Sequence, residues 1–378
     1  MILKNATIID DSFNPIEADL AIKGDKIIDI APELSGEESI DLTGCTIVPG
    51  FVDVHIHACV GADTSDADPE GLAKMCAHLV TKGVTSFCPT TMTVAHDEIS
   101  KALAVVKECM DHPPEGASIA GVNMEGPYIS THRKGAQAAE YVKNPDYAEF
   151  KKFYDQCGGI VKIVDLAPEC DGADEFIQKA SQLCTVSIAH TEADYDCAKH
   201  AFNLGVTHVT HLYNAMQGLS HRQPGVVGAV FDDERVRAEV ICDGFHINPA
   251  VLRVTFAMLG ENRSIIVSDA MRAAGEPDGT YTLGGQTVYV KNGQARLEDG
   301  TIAGSTTNLH QEVKNLIEWG VPFRQIIKSA TINPAREIHM EDRIGSIKVG
   351  KYADLVVLDS GWNIKMVFVR GKAKVDNR

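Results

Sequence analysis

Apolar residues follow two different rhythms along this chain. Over the first 47 residues they alternate with polar ones in short runs, at 2–9, 18–22 and 26–30. Asp10-Asp11, Gly24-Asp25 and Ser35-Gly36 interrupt the runs. Side chains two apart on a strand share a face, so this pattern reads as short β-strands joined by turns. The chain ends the same way, with apolar runs at 352–358 and 364–369 parted by Ser360-Gly361. β-rich segments therefore sit at both ends.

The middle changes period. Short apolar runs at 50–56, 86–89, 119–124, 161–166, 186–189, 208–212, 236–242 and 265–268 alternate with stretches of helical period, among them 70–82, 97–110, 173–183 and 194–204. Eight strand-then-helix units over roughly 280 residues fit a closed (β/α)8 barrel of the TIM type. The other arrangement open to such a pattern is a doubly wound sheet. No Gly-rich nucleotide fingerprint follows an early strand, which favours the barrel. After the eighth run the period breaks. Residues 280–297 hold two or three short strands around an Asn292-Gly293 turn. This reads as an inserted hairpin packing on the β-rich ends of the chain.

Composition narrows the function. A chain of 378 residues suits one large domain, alone or with a small one. Its formal charge of −17 argues against non-specific binding to nucleic acid or to an anionic membrane. An anionic substrate would need a local cationic pocket. No apolar run approaches the roughly 18 residues of a membrane span. The N-terminus lacks the basic, then apolar, organisation of a signal peptide. Ten cysteines are scattered without zinc-type pairs, so a reducing cytoplasm is the expected setting.

Barrel enzymes carry their chemistry at the C-terminal ends of the strands. The first run ends in His55-Ile56-His57, whose two imidazoles share a face and can grip one ion. The third ends in Glu125, the fifth in His190, the sixth in His211 and the eighth in Asp269. A carboxylate closing an apolar run is costly unless it is paired or binds a metal. Each residue alone is weak evidence; six on five strand ends point to a metal centre. Mixed imidazole and carboxylate ligands suit zinc or iron better than magnesium or calcium. The set allows one ion or two, with His55, His57 and Asp269 on one, His190 and His211 on the other, and Glu125 as bridge. A metal lowers the pKa of bound water to about 7, and Asp269 is placed to take a proton from that water and return it to a leaving amine.

At these residues the chain resembles the N-acetylglucosamine-6-phosphate deacetylases of the amidohydrolase superfamily. The resemblance runs from Ile47–His57 through Asp63-Thr64, Thr90-Thr91, Glu125-Gly126-Pro127 and Lys134-Gly135-Ala136. It continues in His211–Met216, Asp243-Gly244-Phe245-His246, Ser268-Asp269-Ala270, Asn333-Pro334-Ala335 and Gly345–Leu358. It implies a barrel over 49–340, with a hairpin insertion near 278–300, and a small β-sandwich built from 1–48 and 341–378. It also implies hydrolytic deacetylation of an amino-sugar 6-phosphate and a homodimer whose partner subunit helps close the site. Asn214, Ala215, Arg222 and His246 then stand as substrate contacts, with Arg222 suited to phosphate because its planar fork binds two oxygens at once.

Two positions depart from the pattern. Gln137 stands where some members carry a histidine that polarises the acetyl carbonyl; it can donate a hydrogen bond but never a charge. Cys59 replaces a small residue beside the site and reads as a packed thiol. His78, His96, His112, His200 and His339 read as surface or structural residues, whereas His132 and His221 lie in loops near the site. The rival readings are the same reaction on N-acetylgalactosamine 6-phosphate and another amidohydrolase of the dihydroorotase, hydantoinase or D-aminoacylase type. Many of the latter bridge their metals with a carboxylated lysine, where this chain offers Glu125. A non-enzymatic relative would be expected to lose ligands, and none is missing here.

Overall fold

In the computed structural model, which describes all 378 residues, eight parallel strands form a nearly closed barrel. They are β1 (Phe51–Ile56), β2 (Val84–Thr91), β3 (Val122–Met124), β4 (Val161–Leu166), β5 (Thr185–Ile188), β6 (His208–Val209), β7 (Arg237–Val240) and β8 (Ser264–Ile266). Each pairs with the next in chain order. No ladder joins β8 to β1. Asp53 stitches that seam instead: its carboxylate accepts from the Ser268 hydroxyl at 2.6 Å. Just beyond, Asp269 N–H donates to His55 O at 2.9 Å and His57 N–H to Ala270 O at 3.1 Å.

Helices Pro69–Thr81, His96–Asp111, Ala173–Ala180 and Tyr195–Leu204 lie where the helical period places them. The expected third strand is split. Ser118–Ile119 pairs with β2, and the chain then turns through Gly121 at φ 148° before β3 begins. A Cβ there would meet the backbone of Ile160 and the Lys162 side chain, so only glycine fits.

The terminal strands join in one mixed sheet in the order Lys372–Asp376, Ile364–Val369, Leu355–Leu358, Thr46–Pro49, Ile2–Ile9, Pro15–Lys23, Lys26–Ala31, with Ser39–Asp41 beside Ile2–Ile9. Antiparallel pairing of Ile47 with Val357 ties the two chain ends together. Leu3, Ile8 and Leu20 from one half share a core with Leu355, Met366 and Phe368 from the other. What the ends form is thus one continuous hydrogen-bonded sheet around a shared core. All ten cysteines are free, and no helix is long and apolar enough to cross a membrane.

The insertion is a three-stranded antiparallel sheet of Gly279–Leu283, Gln286–Lys291 and Gln294–Arg296. Asn292 and Gly293 take φ of 52° and 70°, the geometry a tight two-residue hairpin needs. The sheet does not pack on the chain ends as expected from sequence. Its apolar face, Leu283, Val288, Val290 and Ala295, covers Met92 and Met271, which follow β2 and β8. The alternation of strand side chains gives the insertion one apolar face, and the barrel mouth is the apolar surface it meets. It therefore roofs the C-terminal end of the barrel.

Candidate active site

The six strand-end residues converge. His55 ends in β1 and His57 follows it; Glu125 follows β3, His190 β5, His211 β6 and Asp269 β8. His190, His211 and Asp269 take φ of 44°, 32° and 44°. Left-handed backbone costs a residue with a Cβ about 1–3 kcal/mol, and such strain gathers at functional sites.

Glu125 is the hub. Its Oε1 lies 3.1 Å from His190 Nε2, 3.0 Å from His211 Nε2 and 3.7 Å from His55 Nε2. Its Oε2 lies 3.2 Å from His57 Nε2. Asp269 Oδ1 sits 3.2 Å from His57 Nε2 and 3.6 Å from His55 Nε2. His55, His57 and Glu125 make one cluster able to hold an ion; Glu125, His190 and His211 make another. All six residues are buried.

The hydrogen bonds behind the rings show that the cage is built for a cation. His55 Nδ1 lies 2.8 Å from Glu239 Oε2, and His190 Nδ1 lies 2.8 Å from Arg133 O. Both partners only accept, so Nδ1 carries a proton in each ring and Nε2 is the nitrogen turned inward, toward Glu125. The Nε2 atoms of His190 and His211 then stand 3.2 Å apart, and those of His55 and His57 3.4 Å apart. Lone pairs at such separations repel unless a metal ion or extra protons lie between them. Without an ion, protons fill the role: burial lowers the pKa of His57, but hydrogen bonds to Asp269 and Glu125 raise it to about 10. The donor set fits a divalent metal ion.

Gln137 is buried with both ends of its amide engaged. Thr93 N–H donates to Oε1 at 2.8 Å, which fixes the orientation, and Nε2 donates to Glu125 Oε2 at 2.6 Å. Gly126, at φ 82°, allows the close approach, since a Cβ there would fall 2.1 Å from Thr93 Oγ1. Gln137 lines the cavity above the cage, and its amide also holds the central carboxylate. Cys59 belongs to the hydrophobic core and to neither ligand cluster.

Above the cage opens a cavity of about 380 Å³, lined in part by Asn214, Ala215, His246, Leu283 and Ile302. The insertion supplies its roof. Asp243 cradles His246, accepting from its N–H at 2.9 Å and from Nδ1 at 2.7 Å, so Nε2 is the free end of the ring. Burial lowers the His246 pKa, yet the bond to Asp243 raises it overall. Asn214 donates its amide to the backbone carbonyl of His211. Arg222 stands apart: it is exposed and lines a neighbouring pocket with Glu169, Glu192 and Asp194. His221 is exposed outside the cavity, whereas His132 lines it together with Arg133. Arg133 escaped the sequence reading because a loop arginine carries no positional signal. Glu239 escaped it too, although a carboxylate inside an apolar strand is itself a signal.

Comparison with known proteins agrees with this geometry. The amidohydrolase family model matches residues 46–374. An N-acetylglucosamine-6-phosphate deacetylase of Bacillus subtilis is 38% identical over 330 residues, covering 86% of this chain and 83% of that protein. An N-acetylgalactosamine-6-phosphate deacetylase of Escherichia coli O157:H7 is 35% identical, covering 86% and 87%. A mutant N-acetyl-D-glucosamine-6-phosphate deacetylase of Mycobacterium smegmatis, solved with N-acetyl-D-glucosamine-6-phosphate, superposes with a TM-score of 0.93 at 30% identity and 99% coverage of both chains. The chain belongs to the amidohydrolase family and groups there with the N-acetylhexosamine-6-phosphate deacetylases.

Proposed function

We propose that the protein hydrolyses N-acetylglucosamine 6-phosphate to glucosamine 6-phosphate and acetate. The observation that carries this reading is the cage of five clustered residues, with Asp269 beside His55 and His57, beneath a roofed cavity of small-ligand size, in a chain whose relatives bear that activity's name. His55, His57 and Asp269 would hold one divalent ion, His190 and His211 a second, with Glu125 shared between them; zinc and iron suit these donors. When bound, such a metal supplies Lewis acidity toward the acetyl carbonyl and toward water.

The remaining work falls to side chains. Burial raises the Asp269 pKa, but with no ion bound the charges of His55 and His57 lower it overall; a bound cation would favour the carboxylate in the same way, so Asp269 is able to accept a proton. It takes one from the attacking water as the new C–O bond forms. It returns that proton to the sugar nitrogen as the C–N bond breaks, so that the leaving group departs as an amine. His246, fixed by Asp243, offers Nε2 to a sugar hydroxyl or phosphate oxygen. Asn214 and Ala215 border the same space.

In one copy Arg133 is the arginine that lines the cavity. Arg222 lies outside it on an exposed loop that also presents Leu219. Val251, Val254 and Met258 make an exposed apolar stripe on helix Pro249–Arg263. These features support a homodimer in which Arg222 of each copy serves the other's site. The relative named for the galactosamine substrate keeps that epimer as the second reading.

Acetate release from N-acetylglucosamine 6-phosphate, its galactosamine epimer and the unphosphorylated sugar, with native and chelated protein, tests the proposal. Rapid, chelator-sensitive release that needs the phosphate and prefers the gluco epimer supports it. No release from any of the three by metal-loaded protein refutes it.

A further inference from the structure

Behind the cage, a row of buried charges runs down the barrel interior. Glu239, on β7, accepts from His55 Nδ1 at 2.8 Å and from His211 N–H at 3.2 Å through Oε2. Its Oε1 lies 3.0 Å from His208 Nε2. His208 Nδ1 lies 2.9 Å from Glu337 Oε2, and Glu337 in turn pairs with Arg237 through Oε1. Glu239 and His208 are 0% exposed and Glu337 1%. Glu337 closes helix Ile332–Glu337, and Arg237 and His208 open their strands, so the row ends at the N-terminal side of the barrel, away from the cage.

Geometry fixes the protons. A carboxylate faces each nitrogen of His208, and both nitrogens must donate, so the ring is an imidazolium. Burial lowers its pKa, but the bonds to Glu239 and Glu337 raise it to about 10. Signs therefore alternate along the row: Glu239 negative, His208 positive, Glu337 negative, Arg237 positive. A buried carboxylate stays ionised and fixed only when paired. Glu239 is the group that keeps the His55 proton on Nδ1 and its lone pair on Nε2.

We infer that His208 is a positioning residue for the metal centre: its ring, anchored by Glu337 and Arg237, holds Glu239 in the orientation that lets His55 ligate. This rests on the metal-dependent reading above. It assigns a role to a part of the barrel interior that touches neither substrate nor ion. Partners behind a ligating histidine commonly change metal affinity about 10- to 100-fold when removed.

The test is zinc affinity, measured on the full-length protein by competition with a chromophoric chelator. The H208Q variant keeps a polar group of similar reach but carries no charge, and E337Q removes the anchoring charge one step further away. The expected result is a rise in zinc dissociation constant of about 10- to 100-fold for H208Q and a smaller rise for E337Q, with the far-UV circular dichroism of the apo-protein unchanged. H57A serves as a control that removes a ligand directly. Zinc affinity within twofold of the unsubstituted protein in a folded H208Q variant overturns the inference. Should H208Q fail to fold, an unchanged affinity in E337Q overturns it equally. If the unsubstituted protein binds no zinc and H57A changes nothing, it is the metal-dependent reading that falls, and this inference with it.

Discussion

Replacing Gln137 by methionine separates two roles for one buried amide. Methionine keeps the length and most of the volume of the side chain while removing both hydrogen bonds. The bond from Nε2 to Glu125, at 2.6 Å, is charge-assisted, a class with a net contribution of about 1.5–3 kcal/mol. If that energy holds Glu125 in its ligating orientation, zinc affinity falls about 10- to 100-fold, since 1.4 kcal/mol is tenfold. The bond from Thr93 N–H, at 2.8 Å, is neutral, but its loss strands a buried donor at a cost of about 1–3 kcal/mol. For a chain of this length, with unfolding entropy scaling with residue number, loss of both bonds should lower the apo-protein Tm by about 3–8 °C. Chelator competition, calorimetry and steady-state acetate release together read all three quantities. A variant that binds zinc with unchanged affinity but has lost kcat would refute the reasoning, because that is the signature of an amide polarising the substrate carbonyl.

Asp269→Asn should lower kcat about 10²- to 10⁴-fold, the usual range for a general acid–base group, and a kcat within fivefold of the unsubstituted protein would remove Asp269 from that role. Zinc affinity should rise with pH between about 6 and 9, because the neighbouring carboxylates raise the pKa of His57 to about 10 against the effect of burial, and its proton must leave when the ion binds; proton release measured by calorimetry in buffers of different ionisation enthalpy checks this, and a pH-independent affinity contradicts it. Arg222→Ala should raise KM for the phosphorylated sugar by about 10-fold or more while sparing unphosphorylated substrate, and mixing it with the D269N variant should restore part of the activity at low substrate if sites are shared between copies.

Periodicity was enough to expose the barrel, because a parallel strand covered on both faces must be apolar along its length. The runs at 161–166 and 186–189 coincide with β4 and β5 to within a residue. The insertion shows where this kind of reading stops. Its strands and the Asn292-Gly293 turn are local features and legible, but its docking surface is not. Leu283 and Val288 meet Met92 and Met271, residues nearly 200 and under 20 positions away, and no local pattern distinguishes that surface from the apolar terminal strands.

The site divides along the same line. His55, His57, Glu125, His190, His211 and Asp269 were visible because the barrel ties function to strand ends, so position alone marked polar residues as candidate ligands. Gln137 sits in a loop, where position carries no such meaning; only the Thr93 N–H shows which way its amide faces and hence that it serves Glu125. The left-handed backbone of His190, His211 and Asp269 was equally hidden, since nothing in an L-residue's identity announces a positive φ. The strain has a consequence for any redesign. Three cage residues held at about 1–3 kcal/mol each above their relaxed backbone must be compensated by the packing and hydrogen bonds around them. Glu239, which bonds both the His55 ring and the His211 backbone, is one such compensator. A substitution there is expected to relax His211 and release His55 together, which makes the carboxylate inside β7 as consequential for the cage as the six residues that line it.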